Sequence, residues 1–340
     1  MGLLNLFRYA DLVALPAELL SDFEPVSGVS NYAQLLAQNA AQGPGQIFIE
    51  SVKLLLILLA PFVVFALIIH WLERVSQRRL AERFGWRSVL WTGWLGTPIH
   101  ELSHVFMCRV FRHSVDEIAL FEPDEKSGRL GYVRHSFKAG DLYPEVGNLF
   151  IGIAPLFAGS IVLAILLWMF YPDAVSAAFE STKVGVSASP SDDLMSEIDL
   201  LGDTLGSSAE PGLGQAGQSE SFQQFANVVT SVSGKILAIE NLTSVRFWVF
   251  IYLVLCVGSH MAPSRSDYNG ASRGVFIFGG IAFAGVFLLV LLGVDSKKMV
   301  ELMITTMGPL FAVLGLAVLL VGISTAIVYL FTAPIPLRRA

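Results

Sequence analysis

His100, Glu101 and His104 form the pattern H-E-x-x-H. Residues four apart on an α-helix share one face, so His100 and His104 can each offer a ring nitrogen to one metal ion, with Glu101 beside them. Two neutral imidazoles at about 2.0–2.1 Å, a third protein ligand and one open position make up a catalytic zinc site. A metal so held acidifies a water molecule, and a neighbouring carboxylate can take the proton and deliver it to a leaving amine. The chemistry expected is metal-assisted hydrolysis with Glu101 as general base. A shuffled chain with 6 His and 16 Glu in 340 residues would hold only about 0.005 copies of this pattern.

These residues sit where polar groups are costly. From position 88 up to Cys108 they are the only ionisable side chains, and charge-capable groups inside an apolar span imply a partner or a function. The whole chain is apolar: 54% hydrophobic and 15% charged residues, with a mean hydropathy of +0.63. Such a composition excludes an ordinary soluble domain. A hydrocarbon core of about 30 Å takes about 20 apolar residues as helix, and six stretches supply them: 54–72, 88–108, 146–172, 247–264, 274–294 and 302–337. The fold class expected is an α-helical polytopic membrane protein of about six transmembrane helices. In the last stretch, Pro309 is expected to mark where the regular helix begins. Cys108 and Cys256 fall at or inside predicted spans, so no disulfide framework is expected.

Between the spans the chain divides by composition. Residues 1–47 read as an amino-terminal leader or interfacial segment. Residues 48–87 hold the first span and a segment with Arg74, Arg78, Arg79, Arg83 and Arg87, read either as amphipathic and lying on anionic headgroups or as a solvated loop. Residues 88–172 carry the motif helix, a hairpin and the third span. After the motif, alternating apolar residues at 118–121 and 130–133 flank a turn-rich Pro123 to Gly128, which predicts a small β-hairpin. An unwound peptide could add a strand to its edge. His113 and His135 read as solvated loop histidines and not as metal ligands. Residues 173–246 form an acidic insertion; from Asp173 to Thr243, ten acidic residues against Lys183 and Lys235 give a net charge of −8, against −6 for the whole chain. Its Gly- and Ser-rich centre reads as flexible, and 222–242 has the spacing of an amphipathic helix. Residues 247–340 hold the remaining spans.

A third metal ligand must come from another helix. The end of the fourth span offers Asp267, after Pro263, with His260 as its rival. Asn148 is a polar residue at the start of the third span. Its amide could meet a substrate backbone or a transition-state oxygen, or bond a neighbouring helix.

With both elements in hand, the chain resembles the site-2 protease family of intramembrane zinc metalloproteases over roughly residues 88–275. The resemblance implies one zinc ion held by His100, His104 and Asp267, with Glu101 as general base. The likeness is divergent: the family's Asn-Pro pair is missing, Ser266 stands where Leu is usual, and Gly270 lies three residues after the Asp. The Gly-Pro-x-x-Asn motif is also altered, with Asn148 before Pro155. The resemblance further implies a membrane-protein substrate cut in or near a transmembrane segment, such as a tethered transcription regulator, an anti-sigma factor or a leftover signal peptide. The setting expected is a bacterial cytoplasmic membrane, with the lipid bilayer as partner and no nucleic acid. The alternative is a zinc-binding membrane protein without peptidase activity, a scaffold or transporter. Transport would require ionisable residues along a path through several spans, and beyond the motif the spans hold little except His70.

Overall fold

A computed structural model describes residues 43–138, 140–183 and 220–332. The leader up to residue 42, the centre of the acidic insertion and the segment after 332 lie outside the described residues. Helix α1 spans Pro44–Phe84 and α2 spans Arg87–Val110. Strands β1 (Ser114–Ala119) and β2 (Tyr132–Ser136) follow, then α3 (Leu142–Phe170) and α4 (Pro172–Lys183). The rest comprises α5 (Glu220–Ile236), the short α6 (Ile239–Leu242), α7 (Val245–Gly258), α8 (Arg265–Leu291) and α9 (Ser296–Thr332).

Among the described residues, four helices are long and apolar enough to cross a membrane: α1, α3, α8 and the 306–332 part of α9. The six expected spans are not all of this kind. Helix α2 has 24 residues, but Thr92, Thr97, His100, Glu101, Ser103 and His104 interrupt its apolar character. Helix α7 has only 14 residues, about 21 Å at 1.5 Å per residue, against a core of about 30 Å. It stops at Gly258, where Ser259 takes the C-cap position and its hydroxyl donates to the Leu255 carbonyl at 2.6 Å. The chain then turns through Met261-Ala262-Pro263 and starts α8 at Arg265, earlier than the apolar pattern suggested.

Two other expectations are corrected. The basic segment is no separate element, because α1 continues unbroken to Phe84 and carries Arg74, Arg78, Arg79 and Arg83 on its final turns, while Arg87 opens α2. Arg79 there lies 4.4 Å from the centre of the Tyr329 ring near the end of α9. Pro309 does not begin a helix but lies inside α9, as prolines can in membrane helices whose neighbours compensate the lost hydrogen bond.

The core is shared by α1, α3, α5, α7 and α9: Leu163, Leu167, Val232, Ile236, Phe247, Phe250, Leu314 and Leu320 are fully enclosed. The amphipathic helix read from the insertion is thus present as α5, with Val232 and Ile236 turned into this core. Small residues set the closest crossings around the site. A Cβ on Gly96 of α2 would stand 2.1 Å from the Cys256 carbonyl oxygen of α7, and one on Gly152 of α3 would stand 2.9 Å from the Asp267 carbonyl oxygen of α8. No side chain fits at either place, so α2, α3, α7 and α8 meet backbone to backbone.

The expected hairpin is an antiparallel pair in which Val115 faces His135 and Ala119 faces Tyr132, with a bulge at Asp116. Asp124 closes its turn: the Ser127 hydroxyl donates to it at 2.7 Å and the Lys126 backbone N–H at 3.0 Å. Those bonds hold the Asp124 carboxyl below the usual carboxylate range.

Candidate metal centre

The H-E-x-x-H motif lies in the second half of α2, all of it helical. His100 and His104 project from one face, their ring centres 4.8 Å apart. Asp267 comes from the first turn of α8, as one of the two alternatives for the third ligand required. Ser264 caps that helix: its hydroxyl accepts from the Asp267 N–H at 3.3 Å, and the Asp267 carboxylate accepts from the Ser264 N–H at 2.6 Å. This capping box fixes where the carboxylate stands. Its Oδ2 lies 3.5 Å from His100 Nε2 and its Oδ1 lies 3.4 Å from His104 Nε2.

Those distances carry chemical information. A charge-assisted N–H···O bond is about 2.7–2.9 Å long, so both contacts are too long for direct bonding. Ligand atoms about 2.0–2.1 Å from a tetrahedral metal are separated by about 3.3–3.4 Å. The outer nitrogens agree with a metal site. His100 Nδ1 donates to the His260 carbonyl at 2.7 Å and His104 Nδ1 to the Ile151 carbonyl at 2.8 Å. A carbonyl can only accept, so each Nδ1 carries a proton and each Nε2 is the ring nitrogen turned toward the carboxylate. Two Nε2 atoms and a carboxylate thus converge at the separation of metal ligands. His100, His104 and Asp267 therefore fit a divalent metal ion, and they are the one such group among the described residues.

The two carbonyls have different origins. The Ile151 oxygen would normally accept from the N–H four residues on, but that residue is Pro155, which has none. Pro155 thus frees the Ile151 carbonyl for His104. The His260 oxygen is free because it lies in the connection between α7 and α8.

Glu101 is 7% exposed and has no hydrogen bond among the described residues. A Cβ on Gly131, just before β2, would come within 3.0 Å of Glu101 Cγ, so the second strand of the hairpin starts beside the Glu101 side chain. Asn148 is buried on α3 one turn before Ile151, without a hydrogen bond among the described residues. It precedes by four residues Gly152, where α3 meets the Asp267 backbone of α8. His260 does not join the triad. Its Nδ1 lies 3.0 Å from the Ser259 hydroxyl and 3.2 Å from the Cys256 carbonyl, and its ring packs on Gly96. Its contribution is the backbone oxygen.

His113 and His135 also depart from expectation. His113 is buried, with Nε2 donating to the Pro144 carbonyl at 2.9 Å and Nδ1 2.9 Å from His135 Nδ1. The pair ties β2 to the start of α3. Burial, followed by the neighbouring His113, pushes the His135 imidazole below its ordinary value. The chain matches no protein-family model, no curated protein and no solved structure.

Proposed function

We propose that the protein is an intramembrane zinc endopeptidase that hydrolyses a peptide bond in or near the transmembrane segment of another membrane protein. The observation that carries this reading is the convergence of His100 Nε2, His104 Nε2 and the Asp267 carboxylate, with Glu101 next in sequence and without a hydrogen bond among the described residues. In this reading α2 and α7 join the four long apolar helices as membrane elements, giving six.

His100, His104 and Asp267 would hold the zinc, which when bound would supply a Lewis acid for the scissile carbonyl and acidify a water molecule. The chain's own residues do the rest. Glu101 accepts the proton of the attacking water and returns it to the departing amine. The Nδ1 bonds to Ile151 and His260 keep both imidazoles turned for ligation. A helical substrate hides its peptide bonds in its own hydrogen bonds, so it must unwind before attack. The hairpin, whose second strand starts beside Glu101 at Gly131, offers an edge on which an unwound segment can pair. Asn148, buried one turn before Gly152 on α3, would donate its amide to a substrate carbonyl.

The test is cleavage of single-span reporter proteins in proteoliposomes, with the metal content of each preparation measured in parallel. Wild type should carry one zinc and release a fragment, while Glu101→Gln should keep the zinc and release none. Metal-free wild type, or cleavage by Glu101→Gln at the wild-type rate, would overturn the reading. A zinc-loaded wild type that cuts no reporter would favour a scaffold role.

A further inference from the structure

The motif helix and α8 account for the three ligands, but not for why the His260 carbonyl stands where His100 needs it. That oxygen belongs to a connection without regular structure, between the end of α7 at Gly258 and the start of α8 at Arg265. Such a segment does not hold one carbonyl to a fraction of an ångström by itself. Two side chains of α1 hold it. Glu73 Oε2 accepts from the Ala262 N–H at 3.0 Å, and Gln77 Nε2 donates to the Ser259 carbonyl. Glu73 and Gln77 are one helical turn apart and bonded to each other at 3.2 Å, so they act as a single bracket. The backbone groups they grip lie on either side of His260 in sequence, and the His260 oxygen accepts the His100 Nδ1 proton at 2.7 Å.

We infer that Glu73 and Gln77 are positioning residues for the metal centre: they fix the 259–262 connection, through it the orientation of His100, and the approach of the chain to the Ser264–Asp267 cap. The inference rests on the metal-centre reading above. Neither residue touches the ligand atoms. Their effect passes through one backbone carbonyl, a hydrogen bond to the outer nitrogen of a metal-binding histidine, whose loss typically weakens metal binding about 10- to 100-fold. The bracket needs two acceptor oxygens at position 73, one for the Ala262 N–H and one for Gln77 Nε2, and a donor at position 77. Glutamine at 73 keeps one acceptor oxygen for the Ala262 N–H and loses the bond to Gln77, whereas leucine keeps the volume and removes both acceptors.

The experiment uses the full chain in detergent micelles, stripped of metal and titrated with zinc against a chromophoric chelator, and in parallel with cobalt, whose visible bands report ligand geometry. Glu73→Leu and Gln77→Leu should each weaken zinc binding about tenfold or more and alter the cobalt bands, and Glu73→Gln, which keeps the acceptor for the Ala262 N–H alone, should fall between wild type and Glu73→Leu. Gel filtration and circular dichroism check the fold of each variant. Should Glu73→Leu not fold, Gln77→Leu and Glu73→Gln decide. Wild-type zinc affinity and cobalt bands in a folded Gln77→Leu or Glu73→Leu, or a Glu73→Gln as defective as the leucine variant, would overturn the inference and leave the metal-centre reading intact. Wild type that binds neither metal would overturn both.

Discussion

Asp267 and Ser264 are locked in a reciprocal pair, the Asp267 carboxylate accepting the Ser264 N–H at 2.6 Å while the Ser264 hydroxyl accepts the Asp267 N–H at 3.3 Å. The carboxylate that faces the two imidazoles thus also closes the first turn of its own helix. The two duties separate by substitution. Asp267→Asn retains an acceptor for the Ser264 N–H but loses the charge, so it should fold like wild type and bind zinc at least tenfold more weakly, as expected for a lost ligand charge. Asp267→Ala should lose the metal and also about 0.5–1.5 kcal/mol of stability with the missing bond. Ser264→Ala should keep the ligands, lose about 0.5–2 kcal/mol and bind zinc several-fold more weakly. Chelator competition and thermal unfolding of the metal-free protein measure the two effects separately.

Glu101 is buried beside the ligands. Glu101→Gln preserves its shape and removes its basicity, so zinc binding should stay within a few-fold of wild type while cleavage falls by about 10²–10⁴. His100→Ala and His104→Ala should lose both metal and cleavage. Metal analysis beside a reporter assay distinguishes these patterns, and zinc loss in Glu101→Gln would argue that Glu101 is itself a ligand.

The local part of this centre was legible because helical periodicity alone puts His100 and His104 on one face. Asp267 stood in the sequence within Ser264-x-x-Asp267, a capping-box spacing that marks the start of α8, although the apolar run through Met261 and Ala262 read as a continuation of α7. The supports were harder to see. The Ile151 and His260 oxygens are backbone atoms and leave no residue type behind. Glu73 and Gln77 sit at the edge of an arginine-rich stretch and read as part of it, because nothing local reveals that they reach the α7–α8 connection. His113 and His135 lie far enough apart in sequence that only the hairpin register and the start of α3 bring them together. Pro155 did leave a mark: a proline four residues after Ile151 announces a helix carbonyl without its usual donor.

That mark leads to a prediction in which stability and function move in opposite directions. Proline in a helix interior costs up to about 3 kcal/mol relative to alanine. Pro155→Ala restores the N–H that competes with His104 for the Ile151 oxygen. The variant should melt at higher temperature without metal, gaining about 1–3 kcal/mol, and should bind zinc about tenfold more weakly as His104 loses its partner. Thermal scans without metal and chelator competition check the two halves. Unchanged zinc affinity would mean that the carbonyl serves both donors.

The histidine pair at the hairpin base gives the pH dependence. His135 lies outside the membrane helices and is held below its ordinary value by burial and then by His113, so it resists protonation in the docked hairpin. The undocked hairpin, with an ordinary imidazole near pH 6.5, binds more protons in the window between its own pKa and the lowered one. Stability of the docked state therefore rises with pH through that window and is lost as pH falls below about 6.5. His113 and His104 add to the lowering of His135, while the Asp116 and Asp267 charges oppose the shift without reversing it. Hydrogen exchange of the β2 amides should accelerate, relative to the intrinsic rate, as pH drops from neutrality toward 5. His135→Asn removes the titrating ring and should leave a docking equilibrium that changes far less over that range. An equally steep dependence in His135→Asn would assign the effect to His113, whose ring is wedged between Phe137 and the Pro144 carbonyl.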